Sequence, residues 1–539
     1  MEYDYDYVVV GTGFGGSVSA LRLAEKGYSV GMLEMGKRWT PKDLPKTNMN
    51  LRKFLWMPEF RFFGVQQLTL LKHVFIAHGA GVGGGSLIYA NTLLVPPDPV
   101  FDDARWPTDE DWIAKLAPHY DMAKKMLGAV EAKEINQTDE WLREIVDEDL
   151  NGGKATFRRH TVSVYYGEKE GEVSPDPYFN GEGPDRRACI QCAECMSLCK
   201  HGSKNSLDKN YLYLAENRGV EIIPETRVTR IVPLEEGGYE IHTEGSTPGR
   251  RGEKKVYRAK GLVLSAGVLG TVKLLLRCKA QGDLPDLSPE LGNYVRTNAE
   301  AFGGVTAKDR NANYAHGVSI QAGVYTPDGT HIEAVRWGEK HDFMGLLITV
   351  MTGGGGSLPR WIRYLGTIVR HPINFLRLLW PFGWGKRSVL LMGMKPSKSY
   401  LKLRFKSTSS GGKLESELIG KNDIHAYMPV INEVTQKLAK KMDGIPGTGT
   451  LEAIMNTATT AHILGGATMG QNPETGVCDA TGEVFGYPNM FICDGSLVPA
   501  NLTVNPSLTI TALSEYVMSH IPVKEGAKQR PVVLSSTAD

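Results

Sequence analysis

The chain has 539 residues, of which 41% are hydrophobic and 22% are charged, and its formal net charge is +1. This length exceeds what one hydrophobic core usually holds, so we expect at least two domains in an ordinary globular protein. The balanced charge gives no general attraction to nucleic acid, so no nucleic-acid partner is expected, and the lack of a basic leader or of an ~18-residue apolar run favours a cytoplasmic location.

The stretch from Tyr7 to Ala20 has the pattern of a strand, a glycine turn and a helix. Its apolar run predicts a buried parallel strand, and the turn contains Gly11, Gly13 and Gly16 as G-x-G-x-x-G. The first glycine allows a tight turn, the second lets a pyrophosphate approach the backbone, and the third permits close helix packing. Glu34, at the end of the next predicted strand, can accept a hydrogen bond from a ribose hydroxyl. The combination predicts a dinucleotide-binding unit.

A second concentration of glycines follows, with five glycines in seven consecutive positions. Such a run cannot form a stable helix or strand, so its backbone must be shaped around something else. The sequence G-V-G-G-G-S-L at 81–87 resembles the glucose–methanol–choline (GMC) family of flavin oxidoreductases, most closely its cholesterol-oxidase branch. The resemblance implies that the chain binds FAD, with this loop along the pyrophosphate and the flavin edge. The segment 89–91 departs from that branch's Asn-Gly-Gly, and Asn91 is the candidate replacement for the flavin contact.

The resemblance also implies an α/β fold: a discontinuous, Rossmann-like FAD-binding domain and a sheet-based α+β substrate domain. The FAD-binding domain is predicted to consist of residues 1–100, 215–300 and 455–539, and the substrate domain of 101–214 and 301–454. By the same resemblance, the turn that contains Ala266 abuts the FAD phosphates and Val228 lies near the adenine. The full set of FAD contacts that the resemblance implies is Gly11, Gly13, Phe14, Gly15, Gly16, Glu34, Gly79, Gly83, Gly84, Gly85, Ser86, Asn91, Val228, Ala266, Asp494, Gly495 and Asn505.

Four of the seven cysteines, Cys189, Cys192, Cys195 and Cys199, have the spacing C-x2-C-x2-C-x3-C. This is ferredoxin-type spacing, whereas a zinc site usually has a longer spacer between two cysteine pairs. Three thiolates holding a [3Fe–4S] cluster, four ligands holding a [4Fe–4S] cluster, a zinc ion and metal-free thiols all stay open. Lys200 stands where ferredoxins usually have a proline. An iron–sulfur cluster would favour electron transfer to an acceptor protein other than oxygen.

Two apolar stretches precede the catalytic motifs. Residues 51–63 are strongly aromatic and fit either a buried loop and strand or a lid over a lipophilic pocket. In residues 358–386, arginines recur every seven positions beside an apolar face, and Pro372 must kink or divide the helix. This second stretch fits either a helix in a membrane interface, which would make the protein peripheral at the inner face of a membrane, or a buried amphipathic pair within the domain.

The catalytic candidates come from the C-terminal motifs. A His-x-x-Gly-Gly motif at His462, and Asn505-Pro506 before L-T-I-T-A, resemble the GMC pattern that places a histidine and an asparagine at the reactive face of the flavin. Alcohol oxidation needs such a pair, because His462 can accept the hydroxyl proton while Asn505 orients the substrate oxygen. Glu333 is the nearest match to the glutamate that moves a proton during double-bond isomerisation in the cholesterol-oxidase branch; an exposed glutamate at a strand edge is the alternative.

These patterns predict FAD-dependent oxidation of a secondary alcohol by hydride transfer to flavin N5. A hydrophobic 3-hydroxysteroid is the favoured substrate, because of the branch resemblance and the two apolar stretches. A sugar or small-alcohol dehydrogenase of the same family is the enzymatic alternative. The alternative of another class is a non-catalytic, membrane-associated flavoprotein.

Overall fold

The computed structural model describes residues 2–107, 110–148, 154–354, 358–408, 412–420 and 426–535. Within these ranges the helices, in chain order, are α1 (Phe14–Glu25), α2 (Leu51–Phe54), α3 (Trp112–Met126), α4 (Gln137–Asp147), α5 (Tyr211–Glu216), α6 (Gly267–Gln281), α7 (Arg360–Arg370), α8 (Pro372–Leu378), α9 (Trp384–Arg387), α10 (Pro429–Lys441), α11 (Thr450–Met455) and α12 (Ser507–His520).

The strands of the described ranges, again in chain order, are β1 (Tyr5–Val10), β2 (Val30–Leu33), β3 (Trp56–Met57), β4 (Phe62–Phe63), β5 (Gln66–Leu70), β6 (Val74–Gly79), β7 (Ala129–Glu131), β8 (Thr156–Arg159), β9 (Thr161–Ser163), β10 (Val173–Ser174), β11 (Arg186–Arg187), β12 (Glu221–Ile223), β13 (Thr226–Pro233), β14 (Tyr239–Gly245), β15 (Lys254–Leu264), β16 (Ala301–Ala307), β17 (Ala322–Tyr325), β18 (His331–Val335), β19 (Ile348–Val350), β20 (Ser388–Met394), β21 (Tyr400–Lys406), β22 (Lys413–Ile419), β23 (Gly444–Gly449), β24 (Ala458–Thr460) and β25 (Met490–Ile492).

The first large sheet has a parallel core assembled from distant parts of the chain. β12, β2, β1 and β15 lie side by side in that order, and β25 adds to β15, all in parallel pairings. The long β15 also pairs antiparallel with β14, which pairs with β13. β1 is buried along nearly its whole length because helices cover the sheet, as expected for a parallel strand of continuous apolar sequence. This is the discontinuous, Rossmann-like arrangement that the sequence predicts.

The second large sheet is antiparallel throughout. Its seven strands lie in the order β19-β23-β16-β20-β18-β17-β8. α10 packs closely on β16 at Gly303, where a Cβ would stand only 2.2 Å from Thr435 Oγ1. α4 is tied to the end of β18 by a fully buried ion pair between Asp139 and Arg336, with an N–O distance of 2.8 Å. The sheet-based second domain is therefore present as predicted, while the residue boundaries of the two domains stay a prediction.

The two apolar stretches differ in how far their side chains are buried. In residues 51–63, Phe54 and Trp56 are buried, which supports the interpretation as a buried loop and strand there, although Phe60 is exposed. In residues 358–386, α7 ends before Pro372 and α8 begins at it, so the predicted division of the helix is confirmed. The alternative of a buried helical pair is wrong, because most apolar side chains of α7 and α8 face outwards. Within the described part of the chain, no helix is both long and apolar enough to span a bilayer.

Candidate active site

The ends of four parallel strands converge at one edge of the first sheet. β1 runs into Gly11, β2 into Glu34, β15 into Ala266, and β25 into Asp494. Loops at the carboxyl edge of a parallel sheet form the usual ligand crevice of such folds. The predicted nucleotide contacts from all four segments therefore lie at one edge.

The first glycine turn leaves an open position at the start of α1. A Cβ at Gly15 would lie 1.6 Å from the Cys493 carbonyl oxygen, and one at Gly16 would lie 2.1 Å from the Gly11 carbonyl oxygen, so both glycines are needed for close packing. At Gly13, the N-cap of α1, no described atom would lie within 4 Å of a Cβ. The helix N-terminus therefore faces free space of the kind that a phosphate group occupies.

The second glycine loop lies against this position. It follows β6, which ends at Gly79, and a Cβ at Gly84 would lie 2.7 Å from the Gly13 Cα atom. The Gly83 amide donates to Thr12 Oγ1 at 3.1 Å. The Ser86 hydroxyl donates to the Gly83 carbonyl and accepts from the backbone amide of a distant helical turn, which fixes the loop. The two glycine loops thus form one cradle, to which Gly85 also belongs.

Glu34 holds these loops together in the structure. Its carboxylate is buried and accepts hydrogen bonds from the amide and hydroxyl of Thr12 and from the amides of Gly36 and Gly81, at 2.7–3.2 Å. Burial raises the pKa of this carboxyl, although the four donors oppose the effect. A ribose hydroxyl would share the carboxylate with these donors. The ribose contact of Glu34 stays a prediction.

The remaining predicted cofactor contacts surround the same edge or lie beside it. Asp494 is buried and accepts hydrogen bonds from Ser496 and from the Thr271 hydroxyl, the latter at 2.6 Å, so it joins the turn at Gly495 to α6. Val228 lies on β13 at an irregularity in its pairing with β14. The contacts of these residues with FAD stay predictions.

Phe14 and Asn91 lie between the glycine cradle and the cysteine cluster. The Phe14 ring packs edge-on against Tyr89, with 5.3 Å between ring centroids. Asn91 has a left-handed backbone (φ 70°), and neither polar atom of its buried side chain has a hydrogen-bond partner among the described residues. Asn91 also lines the cavity of the cysteine cluster. Its unpaired amide is available to a ligand, but its contact with a flavin stays a prediction.

The catalytic candidates form two buried pairs. His462 Nδ1 lies 2.5 Å from Glu300 Oε1, and Asn505 Nδ2 donates to Glu333 Oε2 at 3.2 Å. Burial alone would lower the pKa of His462, but the Glu300 carboxylate outweighs it and holds that pKa above the ordinary value. Burial raises the pKa of Glu333 to about 7, against the opposing effects of Asn505 and His462. The sequence-based alternative for Glu333, an exposed strand-edge side chain, is wrong because it is fully buried.

Two further histidines complete the buried network. His160 Nδ1 lies 3.4 Å from Glu333 Oε1, and the Nε2 atoms of His160 and His331 lie 3.2 Å apart. Burial lowers the pKa of His160 to about 3, so both imidazoles are neutral at pH 7, and the ligand atoms of the two histidines and Glu333 lie close enough to hold a metal ion. Gly323 leaves the space for both rings, since a Cβ there would lie 2.4 Å from His331 Nε2.

The sequence did not indicate Glu300, His160 or His331. Glu300 lies just before β16, and its contact with His462 joins residues 162 positions apart, which can be read only from the folded chain. His160 and His331 come from β8–β9 and β18, where an isolated histidine has no local signature. The only available signal was the position of His331 two residues from Glu333, on the same face of a strand.

The four cysteines line one small cavity of about 10 Å³. All seven cysteines are free thiols. Burial raises the pKa of Cys192 to about 12, and it lowers the pKa of the neighbouring Lys204 ammonium to about 7. Cys192, Glu194 and His201 also place one ligand atom each within 4.8 Å of one another. The four cysteines of the predicted iron–sulfur site therefore line the same cavity, but this cavity holds little more than a water molecule and would have to widen around a cluster.

A dinucleotide crevice beside a buried imidazole and a buried amide defines a flavin-type oxidoreductase. Family models described as "GMC oxidoreductase" match residues 183–287 and 422–514. The chain is 41% identical to a cholesterol oxidase of Acinetobacter baumannii over 98% of this chain and 96% of that protein, and 41% identical to a cholesterol oxidase of Mycobacterium tuberculosis over 98% and 93%. A formate oxidase structure from Aspergillus oryzae superposes with a TM-score of 0.62 at 14% identity, covering 96% of this chain and 97% of that one.

The chain belongs to the GMC oxidoreductase family. It is an FAD-dependent oxidoreductase that acts on CH–OH donors, and the predicted fold class and cholesterol-oxidase-like branch are confirmed. The residues fit FAD, because the cradle is open at Gly13 and the buried Oδ1 atom of Asn505 has no partner among the described residues.

Proposed function

We propose that this protein oxidises the hydroxyl group of a hydrophobic 3-hydroxysteroid to a ketone. The observation that carries the proposal is the pair of buried couples, His462 with Glu300 and Asn505 with Glu333, in a chain so similar to cholesterol oxidases. The sugar dehydrogenase alternative lacks such support. The non-catalytic alternative does not account for a histidine whose proton affinity is raised by a dedicated carboxylate.

The His462–Glu300 pair sets the proton chemistry. Because Nδ1 faces the Glu300 carboxylate at ion-pair distance, that nitrogen is the one that carries the proton, and Nε2 is left to accept the hydroxyl proton of the substrate. The Ala461 amide donates to the other Glu300 oxygen at 2.9 Å, so the carboxylate is fixed on both sides. The bound FAD supplies the acceptor for the hydride that leaves the same carbon. Proton acceptance by a positioned base contributes roughly 10²–10⁴-fold to such reactions.

Asn505 and Glu333 serve the substrate oxygen and a second proton transfer. The amide Nδ2 donates one N–H to Glu333, so its orientation is fixed, and its second N–H can donate a hydrogen bond to the substrate oxygen without competing for the hydroxyl proton. With a pKa near 7, Glu333 can both take and return a proton at neutral pH. We propose that it takes the proton from the carbon between the new ketone and a β,γ ring double bond and returns it at the γ carbon, so that the double bond shifts into conjugation.

Stopped-flow measurement of flavin bleaching tests this function. A panel of 3-hydroxysteroids, sugars and small alcohols is mixed anaerobically with the purified holoprotein, and fast bleaching by steroids alone is expected. His462→Ala should retain FAD and bleach about a hundredfold more slowly or worse. His73→Ala is the matched control, because His73 contacts Ser416 on a surface hairpin and should bleach at the normal rate. Bleaching by sugars but not steroids, or a loss below about tenfold for His462→Ala, would overturn the assignment.

The identity of the electron acceptor is a separate proposal. We propose an iron–sulfur cluster held by Cys189, Cys192, Cys195 and Cys199, which, when bound, supplies one-electron transfer to an acceptor protein other than oxygen. The position of all four cysteines in the lining of one cavity supports it. Iron and sulfide analysis of anaerobically purified protein, with an oxygen electrode during turnover, tests it. Less than one iron per chain together with stoichiometric peroxide would show an ordinary oxidase.

We further propose that the protein is cytoplasmic and contacts the inner face of a membrane through residues 358–386. A 3-hydroxysteroid of the proposed kind resides in bilayers, and most apolar side chains of α7 and α8 are exposed. Loss of liposome co-sedimentation after deletion of residues 360–384 is the expected result.

A further inference from the structure

A cavity lies between α8 and the end of β16. Its volume is about 420 Å³, within the range of sites that hold small molecules. Basic side chains from three parts of the chain line it: Lys308 and Arg310 after β16, Arg377 on α8, and Arg387 at the end of α9. The lining of the cavity is therefore positively charged, and the charges come from segments that are distant in sequence.

The positive charge of this cavity is mostly uncompensated. Lys308 pairs with Asp443 at 2.6 Å, but Arg310, Arg377 and Arg387 form no ion pair with any carboxylate of the described residues. Arg387 is only 8% exposed and donates to two backbone carbonyls, of Gly383 and Ala307. Burial and the like charge of Arg310 lower its pKa, and the opposing charge of Asp342, which forms no ion pair with it, does not offset them. A buried cation beside another cation is a costly arrangement that a bound anion relieves.

The rim of the same cavity is apolar and continues into an exposed surface. Ile373, Leu376 and Trp380 line the cavity while exposing 66%, 64% and 58% of their surface. The surface extends along α7 through Leu365 and Val369, which are more than half exposed. Contiguous apolar patches of this kind mark interaction sites in folded proteins. A ligand that carries an anionic group beside apolar chains therefore matches both the basic cavity and its apolar rim.

We propose that this cavity binds the phosphate headgroup of an anionic phospholipid while the apolar faces of α7 and α8 lie in the bilayer leaflet. The proposal deepens the membrane contact proposed above, since it names the lipid class that holds the protein there. Charge complementarity favours a lipid over a second copy of the chain, whose corresponding face carries the same positive charge. The joined apolar rim favours a lipid over a free phosphate, which has no group to place against it.

Vesicle co-sedimentation of the full-length holoprotein tests this site without turnover. Vesicles of phosphatidylcholine are compared with vesicles that also contain phosphatidylglycerol, and much stronger binding to the second kind is expected. The variant Arg310→Gln/Arg377→Gln should lose this preference, because it removes two cations that line the cavity in addition to the general attraction of about fivefold per basic residue near an anionic surface. Arg363→Gln/Arg370→Gln is the matched control, because it removes the same charge from α7 outside the cavity, so it should lose only the general attraction and bind the anionic vesicles more strongly than the first variant does.

Four outcomes would overturn the proposal. They are equal binding to both vesicle types, equal losses in the two double variants, tight binding of soluble glycerol phosphate without any vesicle binding, and a dimer in light scattering that Leu365→Ser/Val369→Ser dissociates. Leu365→Ser/Val369→Ser should weaken binding to both vesicle types and keep their ratio. Oxidation of a steroid presented in detergent micelles should be unchanged in all of these variants. Failure of the proposed catalytic function would appear only in the micelle assay, and failure of the lipid site only in sedimentation.

Discussion

Replacement of Glu300 by glutamine should change the pH dependence of flavin reduction. In the structure the Glu300 carboxylate lies 2.5 Å from His462 Nδ1 and accepts the Ala461 amide on its other oxygen. Glutamine keeps the shape but has one acceptor oxygen for two donors, and it has no charge. The His462 imidazolium therefore loses a charge-assisted hydrogen bond, while the neutral imidazole loses much less.

The size of the effect follows from the bond that is lost. A hydrogen bond to a charged group contributes about 1.5–3 kcal/mol, and one pH unit corresponds to about 1.36 kcal/mol. The pKa of His462 should therefore fall by about 1–2 units. Because the neutral imidazole is the base, the acid limb of the pH profile for flavin reduction moves to lower pH by the same amount. The rate on the plateau falls about ten- to hundredfold, because the imidazolium that forms in the transition state is less stable.

Anaerobic stopped-flow reduction of the flavin across a pH series measures both quantities. Glu452→Gln is the control, because Glu452 is also a fully buried glutamate, and burial raises its pKa to about 8. Because that carboxyl is mostly neutral near pH 7, its replacement by glutamine should leave the limb in place. If Glu300→Gln binds FAD normally and its acid limb coincides with that of the unmodified protein, Glu300 does not position His462, and the assignment of Nε2 as the base has no support.

The remaining predictions concern the cofactor, the second proton transfer and stability. Gly13→Ala should leave the melting temperature of the apoprotein unchanged, because its Cβ enters only free space, but it should weaken FAD binding about tenfold or more in a fluorescence titration. Gly15→Ala should prevent normal folding. Unchanged FAD affinity of Gly13→Ala would contradict the role of this position in the cradle. Glu333→Gln should still oxidise the steroid but release the unconjugated ketone. In the unmodified protein, the rate of isomerisation should increase as the pH rises through the Glu333 pKa of about 7. Ultraviolet absorbance of the conjugated ketone measures both effects. Asp139→Asn should lower the free energy of unfolding by about 3–5 kcal/mol in urea denaturation, because it leaves a buried arginine unpaired; a loss within error would contradict this.

The nucleotide half of the fold was predictable because its signals are local. Gly11, Gly13 and Gly16 stand at fixed spacing between an apolar strand and a helix, and the geometry of that turn depends on few other residues. The division of the apolar insertion at Pro372 was predictable for the same reason, since proline acts on its own turn. Patterns of this kind hold wherever the segment lies in the fold.

The environment of the catalytic groups was not predictable, because it depends on partners that are distant in sequence. The sequence around Glu333 is compatible with an edge strand and with an inner strand. The Glu333 side chain is buried because β18 lies between β17 and β20 in the sheet. Glu300 has no motif of its own, and its role is visible only when β16 and the segment after β24 lie together. In both cases, long-range packing rather than local propensity decides the chemistry.

The order of strands in the first sheet sets a condition on synthesis of the protein. β15 needs β1, which is translated before it, on one side and β25, which is translated long after it, on the other. At typical rates of about 5–20 residues per second, β1 waits roughly 25 to 100 seconds for the last strand of its sheet to leave the ribosome. A nascent chain therefore exposes an unpaired sheet edge until β25 has emerged, and a chaperone that covers this edge would prevent pairing with other chains. A chain that stops before β25 lacks the strand that completes the nucleotide crevice.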